Sequence, residues 1–276
     1  MKFKSVKHLA TFLLAILWLN TFTQEIDKEI KSSKFYVYWG WNRAWFTDSD
    51  IKFSGDNYNF SLLDVKAKDR QTDFAFDPYF NPLKFTIPQY NFKIGYQFSK
   101  NVDFSLGIDH MKYVVENNQQ AVINGFIDLN STFDGNYSYD SITLSEKFLK
   151  LEHTDGLNYV NFEIRNSGSI VKFKNWHIQH SEGLGLGIMI PKTNASLMGM
   201  NRHDDFHFSG YGINGLVGLK VLFKEKYFVQ IEGKSGFIHM PNVRTTNSES
   251  DRANQHFFYI QQNIVFGGFL SLNKKE

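Results

Sequence analysis

The stretch FKIGYQFSKNVDFSLGIDHMKYVV, residues 92 to 115, holds two runs in which every second residue is apolar, joined by a short polar turn. Phe92, Ile94, Tyr96 and Phe98 share one parity against Lys93, Gly95 and Gln97. Val102, Phe104, Leu106 and Ile108 resume it against Asp103, Ser105, Gly107 and Asp109. Successive side chains of a strand point to opposite faces, so this alternation predicts a sheet with one oily and one polar side. Ser99, Lys100 and Asn101 make the pair an antiparallel hairpin. A soluble sandwich shows the same pattern, and the rest of the chain decides which solvent the oily face meets.

At the amino terminus Lys2, Lys4, Lys7 and His8 precede the apolar run LATFLLAILWL, followed by Thr21, Phe22 and Thr23. That order of charge, apolar core and small residues is a secretory signal peptide, residues 1–23, with cleavage expected near Thr23. The run is shorter than the ~20 residues a spanning helix needs, and no later stretch reaches that length. Residues 24–276 then form one domain, because no linker divides them.

The chain has no cysteine, which excludes a disulfide framework and a thiolate metal site. A net charge of +2 with acids and bases interspersed gives no nucleic-acid footprint. Aromatic residues reach 17%, with 28 Phe and 13 Tyr. Membrane barrels gather such rings in girdles where hydrocarbon meets headgroups. A mean hydropathy of -0.35 is compatible with this, since only alternate residues of a barrel strand face lipid.

Strands are expected at 35–46, at the two runs of the hairpin, at 157–165, at 184–190 with the residues before it, and at 211–223, 226–238 and 255–272. The fold class is therefore all-β, an antiparallel transmembrane β-barrel of about eight strands, with ten possible. Connections alternate short and long, the short ones being SKN, a turn near NSGS at 166–169, and FKEK. Short periplasmic turns and long extracellular loops are the outer-membrane pattern. The five prolines fall in connections or at strand ends, as a residue without an N–H must. Residues 117–150 are expected to hold extra strand pieces above the membrane.

Parity sends Lys93, Gln97, Asp103, Tyr159, Asn161, Glu163, Arg165, Lys220, Gln230, Glu232, Lys234, Gln261 and Asn263 into the lumen. An eight-stranded barrel is just wide enough for side chains to fill it. A packed polar plug is expected there, with a narrow channel as the alternative.

The signal peptide, the alternating aromatic-rich strands and the terminal IVFGGFLSL together resemble the outer-membrane β-barrel proteins of Gram-negative bacteria, over essentially the whole mature chain. TDGLNYVNFE, PKTN, RHDDFHFSGYG and HMPNVRTT resemble an uncharacterised family of such barrels, which brings no activity with it. The resemblance implies outer-membrane location and contact with outer-membrane lipid and lipopolysaccharide. It also implies passage through periplasmic chaperones and the barrel-assembly machinery. No cofactor is expected.

Imidazoles and carboxylates gather where the strands should meet the outer loops. His110, His153, His203, His207, His239 and His256 fall there, with Asp109, Asp155, Asp204, Lys112, Lys192, Arg202 and Arg244. These are ingredients of acid/base catalysis or of an oxygen-and-nitrogen metal site, and also of an ordinary polar rim. A ligand-binding rim is expected at His110, Asp109, Lys112, His153, Asp155, His203, Asp204, His239, Arg244 and His256, with no metal assigned. His207 and Ser209, two positions apart, share a strand face as a base and a nucleophile could. HFS is similar to the His-x-Ser element of outer-membrane lipid A deacylases, although Gly210 stands where that family has asparagine. The functions left open are an envelope-structural or ligand-binding barrel, a rim hydrolase acting on lipid A, a narrow channel, and a secreted barrel of lipocalin type.

Overall fold

The computed structural model describes residues 34–271 apart from 82 and 85. The expected leader and its cleavage near Thr23 lie outside the described residues. In chain order the strands are β1 (Lys34–Phe46), β2 (Ser49–Gly55), β3 (Tyr58–Val65), β4 (Ala67–Lys68), β5 (Tyr90–Gln97), β6 (Val102–Val115), β7 (Gln120–Ile127) and β8 (Gly135–Thr143). They continue with β9 (Leu149–Phe173), β10 (Trp176–Met189), β11 (Lys192–Leu197), β12 (His203–Phe206), β13 (Gly210–Phe223), β14 (Tyr227–Arg244) and β15 (Arg252–Ser271). A single helical turn, α1 (Phe76–Tyr79), lies between β4 and β5.

Eight strands close a ring, β1-β5-β6-β9-β10-β13-β14-β15, and β15 returns antiparallel to β1 with Lys34 opposite Ser271. The fold is an antiparallel β-barrel of the outer-membrane type, and closure leaves it no free edge. The quoted hairpin is β5–β6, with Phe92 opposite Ile108 and Ile94 opposite Leu106. Its oily row faces outward: Ile94 is 50% exposed while Lys93 beside it is fully buried. On the far wall Ile231 is 64% exposed and Glu232 1%. A soluble barrel would reverse these two faces.

Short connections at 98–101, 174–175 and 224–226 share one end with the first and last barrel residues. The long connections all leave from the other end, taken here as the outer one. The NSGS segment does not turn. Ser167, Gly168 and Ser169 stay paired with β10, Ile170 is the extra residue at a register shift, and Lys174, with φ +48°, and Asn175 make the turn. A bulge and a turn use the same small polar residues, so composition alone does not separate them. Pro241 lies inside β14, at a register shift between Met240 and Val243, where a missing N–H is tolerated.

Above the ring the long connections fold as well. β2, β3, β7 and β8 extend the sheet from the outer end of β15, while β11 pairs onto the start of β9 and β12 pairs onto β11. The inward row changes character here. Ile51, Phe53, Phe60, Ile123, Phe148 and Leu151 are buried together with Met111, Met240 and Phe257 from the barrel strands. These strands thus enclose a polar lumen lower down and an apolar head core at the top.

The lumen is sealed in layers. At the inner end Tyr36, Tyr38, Leu222, Phe228 and Val265 form a second apolar cluster, with Phe269 packed against it. Gly95 makes room for it: a Cβ there would lie 2.0 Å from the Tyr36 ring. In the middle, Lys234 Nζ lies 2.6 Å from Asp109 Oδ2 and 2.6 Å from Glu163 Oε1. Arg165 reaches Glu163 at 2.5 Å and Glu232 at 2.9 Å, and Lys93 lies 3.5 Å from both Asp109 and Glu163. Lys220 and Asp103 are also buried, so cations (Lys93, Arg165, Lys220, Lys234) balance anions (Asp103, Asp109, Glu163, Glu232) four to four. Of the residues assigned to the lumen, only Gln97 escapes, donating to the Lys100 carbonyl at the turn.

Candidate functional site

The rim residues separate into five places. Asp109 is in the lumen, accepting from Asn91 and Lys234 as well as Asn161. His110, Lys112 and Asp155 meet on the outer face of the barrel wall around one pocket. His153, His203, His207 and Ser209 are buried at the base of the head, with Arg244 beside them. His239 and His256 stack on the wall facing away from the lumen, 6.1 Å apart. Asp204 is paired with Arg202 at 2.8 Å on the head surface.

The pocket encloses about 690 Å³. It exists because β9 bulges: Met111 pairs with Leu157 and Tyr113 with His153, so Thr154, Asp155 and Gly156 oppose Lys112 alone. Gly156, at φ +134°, takes the backbone conformation this requires. Its floor is apolar, made by Ile108, Val160, Ile190 and Phe206. Ile108 and Val160 face each other across the ladder and continue the oily outer rows of β6 and β9 downward through Leu106 and Phe162. At the upper end His110 Nδ1 donates to Asn158 Oδ1 at 2.8 Å, while the Asn158 amide donates to the Ile190 carbonyl. The His110 ring stacks on Tyr90 at 4.8 Å.

The connection between β4 and β5 closes one side. It lies against the outer wall of β1, where Trp41 packs 5.6 Å from Tyr79 and 5.4 Å from Phe80. Lys112 Nζ ties it down, donating to the Ile87 carbonyl at 2.9 Å and to Thr72 Oγ1 at 3.2 Å. Asp69 fastens its start, accepting from Ala44 N at 2.9 Å and from the amides of Gln71 and Gln89. Burial pushes the Asp69 carboxyl above the usual carboxylate range, against those hydrogen bonds. Phe74, Phe76, Phe80 and Leu83 are left exposed on this loop. The outward rows pass from apolar to polar at this height, from Ile108 to His110 and from Phe258 to His256, so these rings sit at the boundary of the oily belt.

In the histidine cluster Ser209 Oγ donates to His207 Nε2 at 2.7 Å, and His207 Nδ1 donates to the Asp205 carbonyl at 3.3 Å. The Arg244 backbone N–H also reaches Nε2, at 3.2 Å. Burial lowers His207 to about 4, so the ring is neutral and its free lone pair is already shared by two donors. His153 is lowered to about 3 by burial, with His207 nearby adding to it, and accepts from or donates to Thr193 at 3.1 Å. Ser209 is fully buried, and neither member of the pair lines the pocket. The Arg244 bond, with Asn242 N donating to the Ser209 carbonyl at 3.2 Å, ties the β12–β13 connection to the outer end of β14. Among the described residues no group of three or more His, Asp or Glu side chains is placed to hold a metal ion.

Sequence reasoning missed Tyr90, Asn158, Ile87 and Phe206 as pocket residues. The one available signal was Gly156 in TDGLNY, an isolated glycine at the start of an expected strand, which is a bulge marker.

No family model matches the chain, and no curated protein matches it. Among solved structures it is similar to Neisserial surface protein A, at 9% identity over 84% of this chain and 98% of that one, with a TM-score of 0.31. It is also similar to Ail of Yersinia pestis, solved with the heparin analogue sucrose octasulfate, at 9% identity, 86% and 100% coverage and a TM-score of 0.28. The outer membrane protease OmpT of Escherichia coli gives 6% identity, 87% and 97% coverage and a TM-score of 0.24. At such scores the assignment of fold rests on the closed ring and its oily exterior.

Proposed function

We propose that the protein is a non-conducting barrel of a bacterial outer membrane that holds a folded β-head outside the cell and works by binding at its outer wall and head. One observation carries this reading: the lumen is stopped by aromatic rings at the inner end, by a charge-balanced network in the middle and by the head core above. A permeation path needs continuous wet space, and removing it leaves the outer surfaces as the working parts. Export by residues 1–23 and folding of 24–276 as one domain belong to the same proposal. The test is reconstitution of the purified chain into planar bilayers, with membrane fractionation alongside. Silent bilayers and heat-modifiable mobility from the outer-membrane fraction are expected; reproducible conductance steps would remove the reading.

A second reading, a hydrolase acting on lipid A, is favoured by the Ser209–His207 contact alone. Its cost is that a substrate must first open the packing over Ser209. Mass analysis of lipid A from cells with the wild-type gene and with Ser209→Ala decides it, since unchanged lipid in both eliminates a hydrolase.

A further inference from the structure

We infer that the outer-wall pocket binds one phosphorylated, acylated lipid of the outer leaflet, with an acyl chain on the floor of Ile108, Val160, Ile190 and Phe206 and a phosphate at Lys112. This rests on the membrane reading above and names the ligand class for its outer wall.

Three features point to that occupant. The floor is continuous with the oily rows of β6 and β9, so a chain already lying in the membrane enters sideways without crossing water. The polar groups gather one step above Ile108 and Val160, where His110, Asn158 and Lys112 line the cavity. Among the described residues no carboxylate makes an ion pair with Lys112, whose two hydrogen-bond partners are neutral oxygens; Asp69 and Asp155 act on its charge only from beyond ion-pair distance. A half-buried ammonium with neutral partners is compensated by an incoming anion, and it keeps a third N–H to give it. Asp155, the nearest acid of the lining, is already held by Lys192 at 2.8 Å.

The β4–β5 connection completes the case. A soluble loop would not leave Phe74, Phe76, Phe80 and Leu83 bare on the same connection that supplies Thr86 and Ile87 to the cavity lining. In the outer leaflet these rings lie among acyl chains and anchor the loop whose Thr86 and Ile87 line the pocket.

The experiment is native mass spectrometry of the full chain extracted from its own membrane, before and after exchange into a short-chain detergent, followed by titration with lipid A and, separately, with phosphatidylglycerol. One lipid A retained per chain is expected. Val160→Trp, which fills the floor from the lipid side without touching the lumen, should abolish retention. Lys112→Met should weaken it roughly tenfold through loss of the charge-assisted bond. Ile231→Trp, an equivalent change on the far wall, should leave it intact. Retention unchanged in Val160→Trp, preference for phosphatidylglycerol, or complete loss of lipid from the wild type on exchange would each overturn the proposal. None of these alters heat-modifiable mobility or bilayer silence, so the broader reading is scored separately.

Discussion

Lys234 and Asp109, 125 positions apart in sequence, meet at 2.6 Å in the closed centre of the barrel. Each is wholly enclosed, and each is the other's nearest or equal-nearest opposite charge. Removing Lys234 leaves Asp109 with Lys93 alone, at 3.5 Å, and the buried network one positive charge short, which costs about 3–5 kcal/mol. Lys234→Met is expected to lower the unfolding free energy measured in guanidinium by that amount. Lys192→Met, which breaks the exposed pair with Asp155, should cost under about 1 kcal/mol. Equal losses from the two would show that the lumenal network contributes nothing particular.

Gly95 and Tyr36 make a size-matched pair, the ring lying where a Cβ would stand. Gly95→Val should destabilise by about 1–3 kcal/mol through overpacking. In Tyr36→Ala the same substitution should cost much less, because the space is vacated. A double-mutant cycle with no coupling between the two positions would refute this packing.

The head should loosen as the medium is acidified. His207 is neutral in the folded head, held down to about 4, and His153 to about 3, whereas unfolded histidines titrate near 6.5. Below that value the unfolded chain takes up protons that the folded head refuses. The stability is therefore complete above about pH 6.5 and is lost as pH falls towards 4. Hydrogen exchange of β11 and β14 between pH 7 and pH 5 reads this loss. His153→Gln should flatten the profile, and a profile as steep as wild type in that variant would be evidence against a histidine origin.

The loop carrying Phe76 is expected to lie in the outer leaflet. A tryptophan placed there by Phe76→Trp should be quenched by brominated lipid as strongly as one replacing Ile94 on the oily wall. Quenching by aqueous iodide instead would put the loop in water.

The Ser209–His207 contact should matter for the head whether or not it matters for chemistry. Ser209→Ala removes one buried donor and should cost about 1–3 kcal/mol. Loss of protection at the β12–β13 connection in hydrogen exchange checks it, and unchanged protection there would deny the contact a structural role.

Residues 92–108 determined a two-faced hairpin by themselves, because a strand's two faces are written in alternate letters and a hairpin needs only local pairing, while the aromatic-rich strands and alternating connections of the whole chain determined that its oily face meets lipid. Strand parity likewise assigned Lys93, Glu163, Arg165, Glu232 and Lys234 to the lumen. Tertiary structure alone decided which charges touch, since Lys234 and Asp109 are joined by ring closure and no local pattern encodes the stagger of eight strands. It alone turned the rim histidines into separate sites, because the bulge at Gly156 swings Thr154 and Asp155 outward while His153 stays buried. The outer-wall pocket depends most on it: a loop, the barrel strands β5, β6 and β9, and Phe206 of β12 converge there from distant parts of the chain, and each reads in isolation as ordinary strand or turn.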